Sequence, residues 1–287
     1  MRRPLPLRLL GATLFLAFAW LAHTQTPAPA RAATAQKVKD GLFMIQGGGG
    51  NVAVYITGEG LILVDDMYDR DYASVMEQVR KLSDLPVRYV LNTHHHDDHA
   101  GANNSMPSTV ELISHRNART QMLRLKQPGQ PRVTFADELE LHLGGKEVRA
   151  YHYGRGHTDG DVIVYFPELK VIHTGDIFLT NGRPALPYMD YAGGGSALEW
   201  THVIDETAKL DFDTIIPGHG PVSNRAGLAA WRAAFVTMRD RIGSLARGGE
   251  SKEAISKVLL DEFKWPNGGL AIGQVDAFIA EMKSAAR

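Results

Sequence analysis

The chain has 287 residues, a formal net charge of -1 and no cysteine. That length supports one large domain or two small ones with a real hydrophobic core. Without cysteine there are no disulfides, thiolate nucleophiles or cysteine-based zinc sites, and without a long Lys/Arg run a nucleic-acid partner is disfavoured, which leaves a small-molecule substrate and His, Asp and Glu as metal ligands.

At the N-terminus Arg2, Arg3 and Arg8 precede an apolar run from Leu9 to Ala22. The run is shorter than the about 20 residues of a membrane-spanning helix, so it reads as a cleaved export signal. Ala30/Ala32 and Ala33/Ala35 offer two cleavage positions, after Ala32 or after Ala35, and both stay open. The Pro/Ala-rich stretch Thr24 to Ala35 reads as an unstructured linker. Sec-type export to the periplasm or beyond is the expectation, with no stable membrane insertion after cleavage.

Next come three β-rich runs, Lys37 to Ile45, Asn51 to Thr57 and Leu61 to Val64, separated by Gly47–Gly50 and Gly58-Glu59-Gly60. A helical pattern covers Tyr72 to Leu82, and the apolar run Val87 to Leu91 ends at a histidine cluster. Short strands and one helix near Arg116 to Leu125 follow, then a hairpin of Val162 to Phe166 with Lys170 to His173 across Pro167-Glu168-Leu169. Thr180 to Ser196 has no periodicity and reads as a long functional loop. Helical patterns cover Ala197 to Lys209, Arg225 to Leu245, Ser251 to Phe263 and Gln274 to Lys283, with one strand at Thr214 to Ile216. The mixture predicts an α/β layered architecture whose strand-end loops carry the chemistry.

His94, His96, Asp98 and His99 fall within six residues behind one strand, a density of metal ligands that a structural role does not explain. Three more Gly-flanked positions follow β-rich runs: His157 in Gly156–Asp161, Asp176 in His173-Thr174-Gly175-Asp176, and His219 in Pro217-Gly218-His219-Gly220. Asp66, His95 and Asp97 alternate with these positions and are read as facing solvent or supporting groups. His115, His142, His152, His173 and His202 lie outside the ligand loops and read as structural or exposed. Asp161 either supports the His157 turn or caps the following strand.

At Asp65, the His-x-His-x-Asp-His element of His94 to His99, His157, Asp176 and His219, the chain resembles the metallo-β-lactamase superfamily. Five short motifs in order, spanning roughly Asn51 to Gly220, are far more specific than any one of them. The resemblance implies a four-layer αββα sandwich over residues 36–224, with residues 1–35 as signal and linker and 225–287 as a helical extension packed on it. It also implies two zinc ions, with His94, His96 and His157 on one, Asp98, His99 and His219 on the other, and Asp176 bridging. Asp65 would accept a hydrogen bond from the ligand loop, Asp98 would also steer a proton, and a hydroxide held between the ions would attack the substrate. The His-rich, thiolate-free set favours zinc, with iron or manganese as alternatives.

The fold does not name the substrate. Many zinc β-lactamases that this chain resembles carry Cys at the Asp176 position and Lys three residues later, where Leu179 stands here. Asp176 is similar instead to the bridging position of glyoxalase II-like and lactonase-like members, although no glutathione-binding cluster is recognisable in the C-terminal helices. A small cyclic amide, lactone, ester or thioester is the expected substrate, walled by Gly47 to Asn51 and by Tyr68, Arg183, Tyr188 and Tyr191. The rivals are an iron-dependent, persulfide dioxygenase-like oxidoreductase and a non-catalytic partner of a periplasmic pathway; the complete ligand set favours hydrolysis. Nothing in the pattern fixes an oligomeric state.

Overall fold

The computed structural model describes residues 32–181, 187–265 and 274–284, so the expected export signal and Arg183 lie outside the described residues. The expected linker ends earlier than its composition suggested. Thr34 and Ala35 already belong to β1 (Thr34–Lys39), and buried Ala33 donates its N–H to Ser74 Oγ at 2.8 Å.

The β-rich run Lys37 to Ile45 is two strands, because the chain reverses at Asp40-Gly41, where Gly41 takes a φ of 70° that favours glycine. From this turn β2 (Leu42–Gln46) leads to β3 (Val52–Ile56) and β4 (Leu61–Val64), each antiparallel to the last. The helix α1 (Tyr72–Leu82) then crosses over to β5 (Val87–Asn92), which runs parallel to β4. A one-turn helix, α2 (Asp97–Ala100), sits in the connection to β6 (Glu111–His115), and α3 (Arg116–Arg124) leads to β7 (Val133–Phe135). These seven strands form one sheet in sequence order.

The second sheet holds β8 (Glu138–Leu143), β9 (Lys146–Tyr151), β10 (Ile163–Phe166), β11 (Val171–His173), β12 (Thr214–Ile216) and β13 (Ser223–Asn224), ordered 13-12-11-10-9-8. The expected hairpin is β10 against β11. Only β11 and β12 are parallel, and α4 (Ala197–Thr207) lies in their crossover.

Side-chain alternation separates the layers. In β4, Leu61 and Leu63 face α1 residues Val75 and Val79, while Ile62 and Val64 enter the core between the sheets. In β10, Val164 and Phe166 meet them there, while Ile163 and Tyr165 turn to the opposite helical layer. Three cores therefore divide four layers, helix–sheet–sheet–helix. The last layer contains α4 together with α5 (Arg225–Arg247), α6 (Lys252–Asp261) and α7 (Val275–Ser284). Leu228, Trp231, Phe235, Met238 and Ile242 recur at helical spacing along α5 and bury against Trp200 of α4 and Ile172 and Ile215 of the sheet. Among the described residues no helix is long and apolar enough to cross a membrane.

His115 shows one structural use of histidine. It caps α3 by accepting the Asn117 N–H on Nδ1, its Nε2 faces the Ala136 carbonyl at 2.8 Å, and its ring stacks on His152 at 3.8 Å. Burial, then the neighbouring His152, hold it down to about 4 from 6.5. A histidine depressed in the folded state stabilises fully above its unfolded value, and that contribution is lost as pH falls through the folded value. His115→Asn keeps a capping acceptor but cannot titrate. Its denaturation midpoint should fall less steeply than that of the wild type between pH 6.5 and 4, and equal slopes would refute the role.

Candidate metal centre

Two parallel strand pairs, β4 with β5 and β11 with β12, point their C-terminal ends at one edge of the sandwich. Every strand-end loop flagged in the sequence lies there. The sheets are joined at this edge by the Val162 N–H on the Thr93 carbonyl at 2.8 Å and the Asn51 N–H on the Gly218 carbonyl at 2.7 Å.

Asp65 ends β4 with a φ of 62° and is fully buried. Its Oδ1 accepts the Thr93 N–H at 2.7 Å, and its Oδ2 accepts the Thr93 hydroxyl at 2.8 Å and lies 2.7 Å from His99 Nδ1. The proton of His99 is thereby held on Nδ1, leaving Nε2 directed into the site. The other rings are oriented from behind in the same manner. His94 Nδ1 lies 3.0 Å from the Thr93 hydroxyl, His157 Nδ1 donates to the Tyr188 carbonyl at 2.5 Å, and His96 Nε2 donates to Asp190 Oδ2 at 3.0 Å.

The remaining atoms converge as two donor sets. In the first, His96 Nδ1 and His157 Nε2 lie 2.9 Å apart, beside a buried His94 Nε2 that has no protein partner. In the second, His99 Nε2 is 3.2 Å from His219 Nε2, and His219 Nε2 is 3.2 Å from Asp98 Oδ2. Asp176 belongs to both: its Oδ1 lies 3.1 Å from His99 Nε2 and 3.5 Å from His219 Nε2, and its Oδ2 lies 3.6 Å from His157 Nε2. Ligands about 2.0–2.1 Å from a tetrahedral zinc stand about 3.3 Å from one another, so these separations suit a cation between the donors. Two glycines let the backbone close on the site. A β-carbon on Gly50 would strike the His99 ring, and one on Gly218 would strike Asp176 Oδ1.

The two sets differ in charge. In the protein alone, burial, with neighbouring histidines, holds His94 well below the usual range, and burial lowers His157 to about 4. For His99 and His219 burial acts the same way but is outweighed by the carboxylates of Asp176 and Asp98, with Asp65 adding to His99. His99 therefore sits well above the ordinary value and His219 is raised to about 9. Burial of Asp98 and Asp176 is likewise outweighed, by His99 and His219; Asp98 falls to about 2 and Asp176 lies well below its ordinary value. His94 and His157 are held neutral, whereas the second half is an imidazolium–carboxylate network, so a cation entering the second half displaces protons.

Some side chains are placed differently from the sequence reading. Of the alternating residues, Asp66 and His95 are buried supporting groups, with Asp66 Oδ1 accepting the Ala102 N–H at 3.1 Å and His95 Nε2 3.6 Å from Asp190 Oδ2, while Asp97 is exposed. Asp161 accepts the Thr158 N–H at 2.9 Å and the Thr158 hydroxyl at 2.6 Å, which braces the His157 turn. Tyr188 lies beside the centre, its ring centroid 6.0 Å from that of His96 and 5.5 Å from that of His157. Tyr191, expected as a substrate wall, turns its hydroxyl to Glu281 on α7 at 2.7 Å and packs on the helical core. Tyr68 is half-buried beneath the Arg70 guanidinium, 3.8 Å from the ring centroid. The sequence reading passed over Asp190, whose only signal is an acidic residue in the Tyr/Gly-rich loop. It also passed over Gln46 and Asn181, which with Gly47–Gly49 line a cavity of about 410 Å³ that reaches the donor sets through His219.

A family profile described as the metallo-beta-lactamase superfamily matches residues 45–219. The chain belongs to the metallo-β-lactamase superfamily. It is 31% identical over 174 residues to metallo-beta-lactamase IND-1 of Chryseobacterium indologenes, which covers 59% of this chain and 71% of that relative. The metallo-beta-lactamase type 2 of Bacillus cereus is 26% identical over 184 residues, covering 61% of this chain and 68% of the relative. Among solved structures, a metallo-beta-lactamase from Pontibacter korlensis superposes with a TM-score of 0.65 at 19% identity, over 71% of this chain and 99% of that one. DIM-1 metallo-beta-lactamase gives 0.64 at 20% identity, over 72% and 99%. These likenesses show the αββα fold, and membership with the His/Asp donor groups makes this superfamily member a metal-dependent hydrolase.

Proposed function

We propose that the chain is an exported dinuclear zinc hydrolase that opens a small cyclic amide, lactone, ester or thioester, with β-lactams the first substrates to test. The observation that carries this reading is Asp176, whose two oxygens reach the two donor sets separately. His94, His96 and His157 would hold one ion and Asp98, His99 and His219 the other, with Asp176 on both. When bound, such ions supply Lewis acidity and lower the pKa of water to about 7.

The chain's own residues do the rest. Thr93, Asp65, Tyr188 and Asp190 keep the ligand rings in register from behind. Asp98 faces His219 Nε2 through Oδ2 at 3.2 Å, and its carboxylate is the group to take and return a proton at the leaving atom. Gln46 and the Gly47–Gly49 backbone line the cavity with hydrogen-bonding groups for the substrate's polar edge. The iron-dependent alternative gains no separate support from this geometry.

The test is metal-stripped protein reloaded with zinc and offered a chromogenic cephalosporin, lactones, thioesters, and phosphate and sulfate esters. Turnover of at least one carbonyl substrate, abolished by chelator and restored by zinc, is the expected result. A fully loaded protein inert on the whole panel would overturn the reading. Fractionation of expressing cells tests export separately.

A further inference from the structure

One carboxylate connects the C-terminal helix to the metal centre. Glu281 on α7 accepts three hydrogen bonds, from the Tyr191 hydroxyl at 2.7 Å, the Ser196 hydroxyl at 2.5 Å and the Ala197 N–H at 3.0 Å. Ser196 and Ala197 form the N-terminus of α4, where unpaired N–H groups and the helix dipole favour an anion. Ser196 is shared, since its hydroxyl oxygen also caps α4 by accepting the Glu199 N–H at 3.1 Å.

The segment that Glu281 grips is the one behind the three-histidine set. Residues 187–196 contain no helix or strand, so their shape depends on bonds to neighbours. Toward the centre, Tyr188 supplies the carbonyl that orients His157 and Asp190 supplies the carboxylate that orients His96. The Asp190 N–H donates to the His157 carbonyl at 2.9 Å, the Gly195 N–H to the Asp190 carbonyl at 2.8 Å, and the Ser196 N–H to the Gly156 carbonyl at 2.8 Å. Toward α7, the segment's own Tyr191 and Ser196 end on Glu281. Two of the three imidazoles in the set are thus aimed by a segment whose outer side is clamped from the C-terminal helix. The family match ends at residue 219, so this clamp comes from outside it.

We propose that Glu281 is a positioning residue for the His94/His96/His157 ion site: it clamps the Tyr188–Ser196 segment so that His96 Nδ1 and His157 Nε2 stay convergent. This rests on the metal-centre reading above. It gives the C-terminal helices a part in metal binding beyond covering the sheet.

The experiment uses the full chain, stripped of metal and titrated with cobalt(II) against a chelator of known affinity, with the visible absorption recorded. Glu281→Ala should weaken the three-histidine set about 10–100-fold, the usual loss when an outer hydrogen-bond partner is removed, and alter the absorption of its cobalt. Glu281→Asp should recover part of both. Glu262→Ala, which breaks the exposed pair at 2.9 Å between Arg241 of α5 and Glu262 just past the end of α6, should leave both at wild-type values. Should Glu281→Ala fail to fold, Glu281→Gln serves in its place. Wild-type affinity and absorption in folded Glu281→Ala or Glu281→Gln would overturn the proposal, even with a lowered melting temperature. A wild-type chain that binds no cobalt would overturn the metal-centre reading itself and the proposal with it.

Discussion

Asp176→Ala should lower hydrolysis by at least about 10²-fold, beyond the 10–100-fold of an outer partner, while the protein still retains one ion. Asp176 Oδ1 stands within 3.5 Å of His99 and His219, and its Oδ2 lies 3.6 Å from His157. Its loss therefore touches both donor sets, but unequally. The three imidazoles of the first set remain, whereas the second set keeps Asp98 as its only carboxylate against two imidazoles. Those imidazoles hold their protons because of Asp176 and Asp98, after burial has opposed it. Asp176→Asn, which preserves shape and removes charge, should behave similarly if charge dominates. Elemental analysis after zinc reloading and dialysis should give close to one ion per chain where the wild type gives close to two. Two ions and an unchanged rate would refute the bridging role of Asp176.

Local periodicity made most of the framework legible. The apolar spacing from Tyr72 to Leu82 matches α1, and the run from Val87 ends where β5 hands over to the ligand loop. The donor positions were legible for a different reason: imidazole and carboxylate groups crowded at strand ends have few structural uses, and five of the seven, His94, His96, His157, Asp176 and His219, follow β5, β11 and β12 or lie in the turn before β10. The other two are Asp98 and His99, neighbours on the one-turn α2, which aims both at His219.

What escaped the sequence is what depends on distant partners or on single-residue phase. The Asp40-Gly41 reversal hides inside the β-rich run Lys37 to Ile45, because strand residues stand directly on both sides of the two-residue turn. Whether His95 faced solvent or a supporting partner was open in the sequence, because its partner, Asp190 Oδ2 at 3.6 Å from Nε2, lies 95 positions later. Asp190 and Tyr191 lie in an aperiodic loop, so their meanings come from His96, 94 positions earlier, and Glu281, 90 positions later. Composition marked that loop as functional but could not tell Tyr188, beside the imidazoles, from Tyr191, turned toward the helices.

Asp65→Asn should cost the metal-free protein about 1–3 kcal/mol of stability and weaken the Asp98/His99/His219 set about 10–100-fold. Three groups converge on this buried carboxylate: the Thr93 N–H, the Thr93 hydroxyl and His99 Nδ1. Asparagine tolerates the same left-handed backbone, so the substitution isolates the hydrogen bonds. With its oxygen kept toward the Thr93 N–H, its NH2 group would face the hydroxyl and His99 Nδ1. The hydroxyl can rotate to accept, but His99 cannot accept on Nδ1 without moving its proton to Nε2, the atom that faces His219 and Asp176. In the metal-free protein His99 carries both protons, so the same substitution sets donor against donor in a fully buried position. Chemical denaturation of stripped protein reads the first effect and cobalt(II) competition the second. An unchanged midpoint together with unchanged affinity would show that Asp65 neither holds the ligand loop nor selects the His99 tautomer. A loss confined to the Asp98/His99/His219 set, with the three-histidine set intact, would separate the Asp65 anchor from the Glu281 clamp.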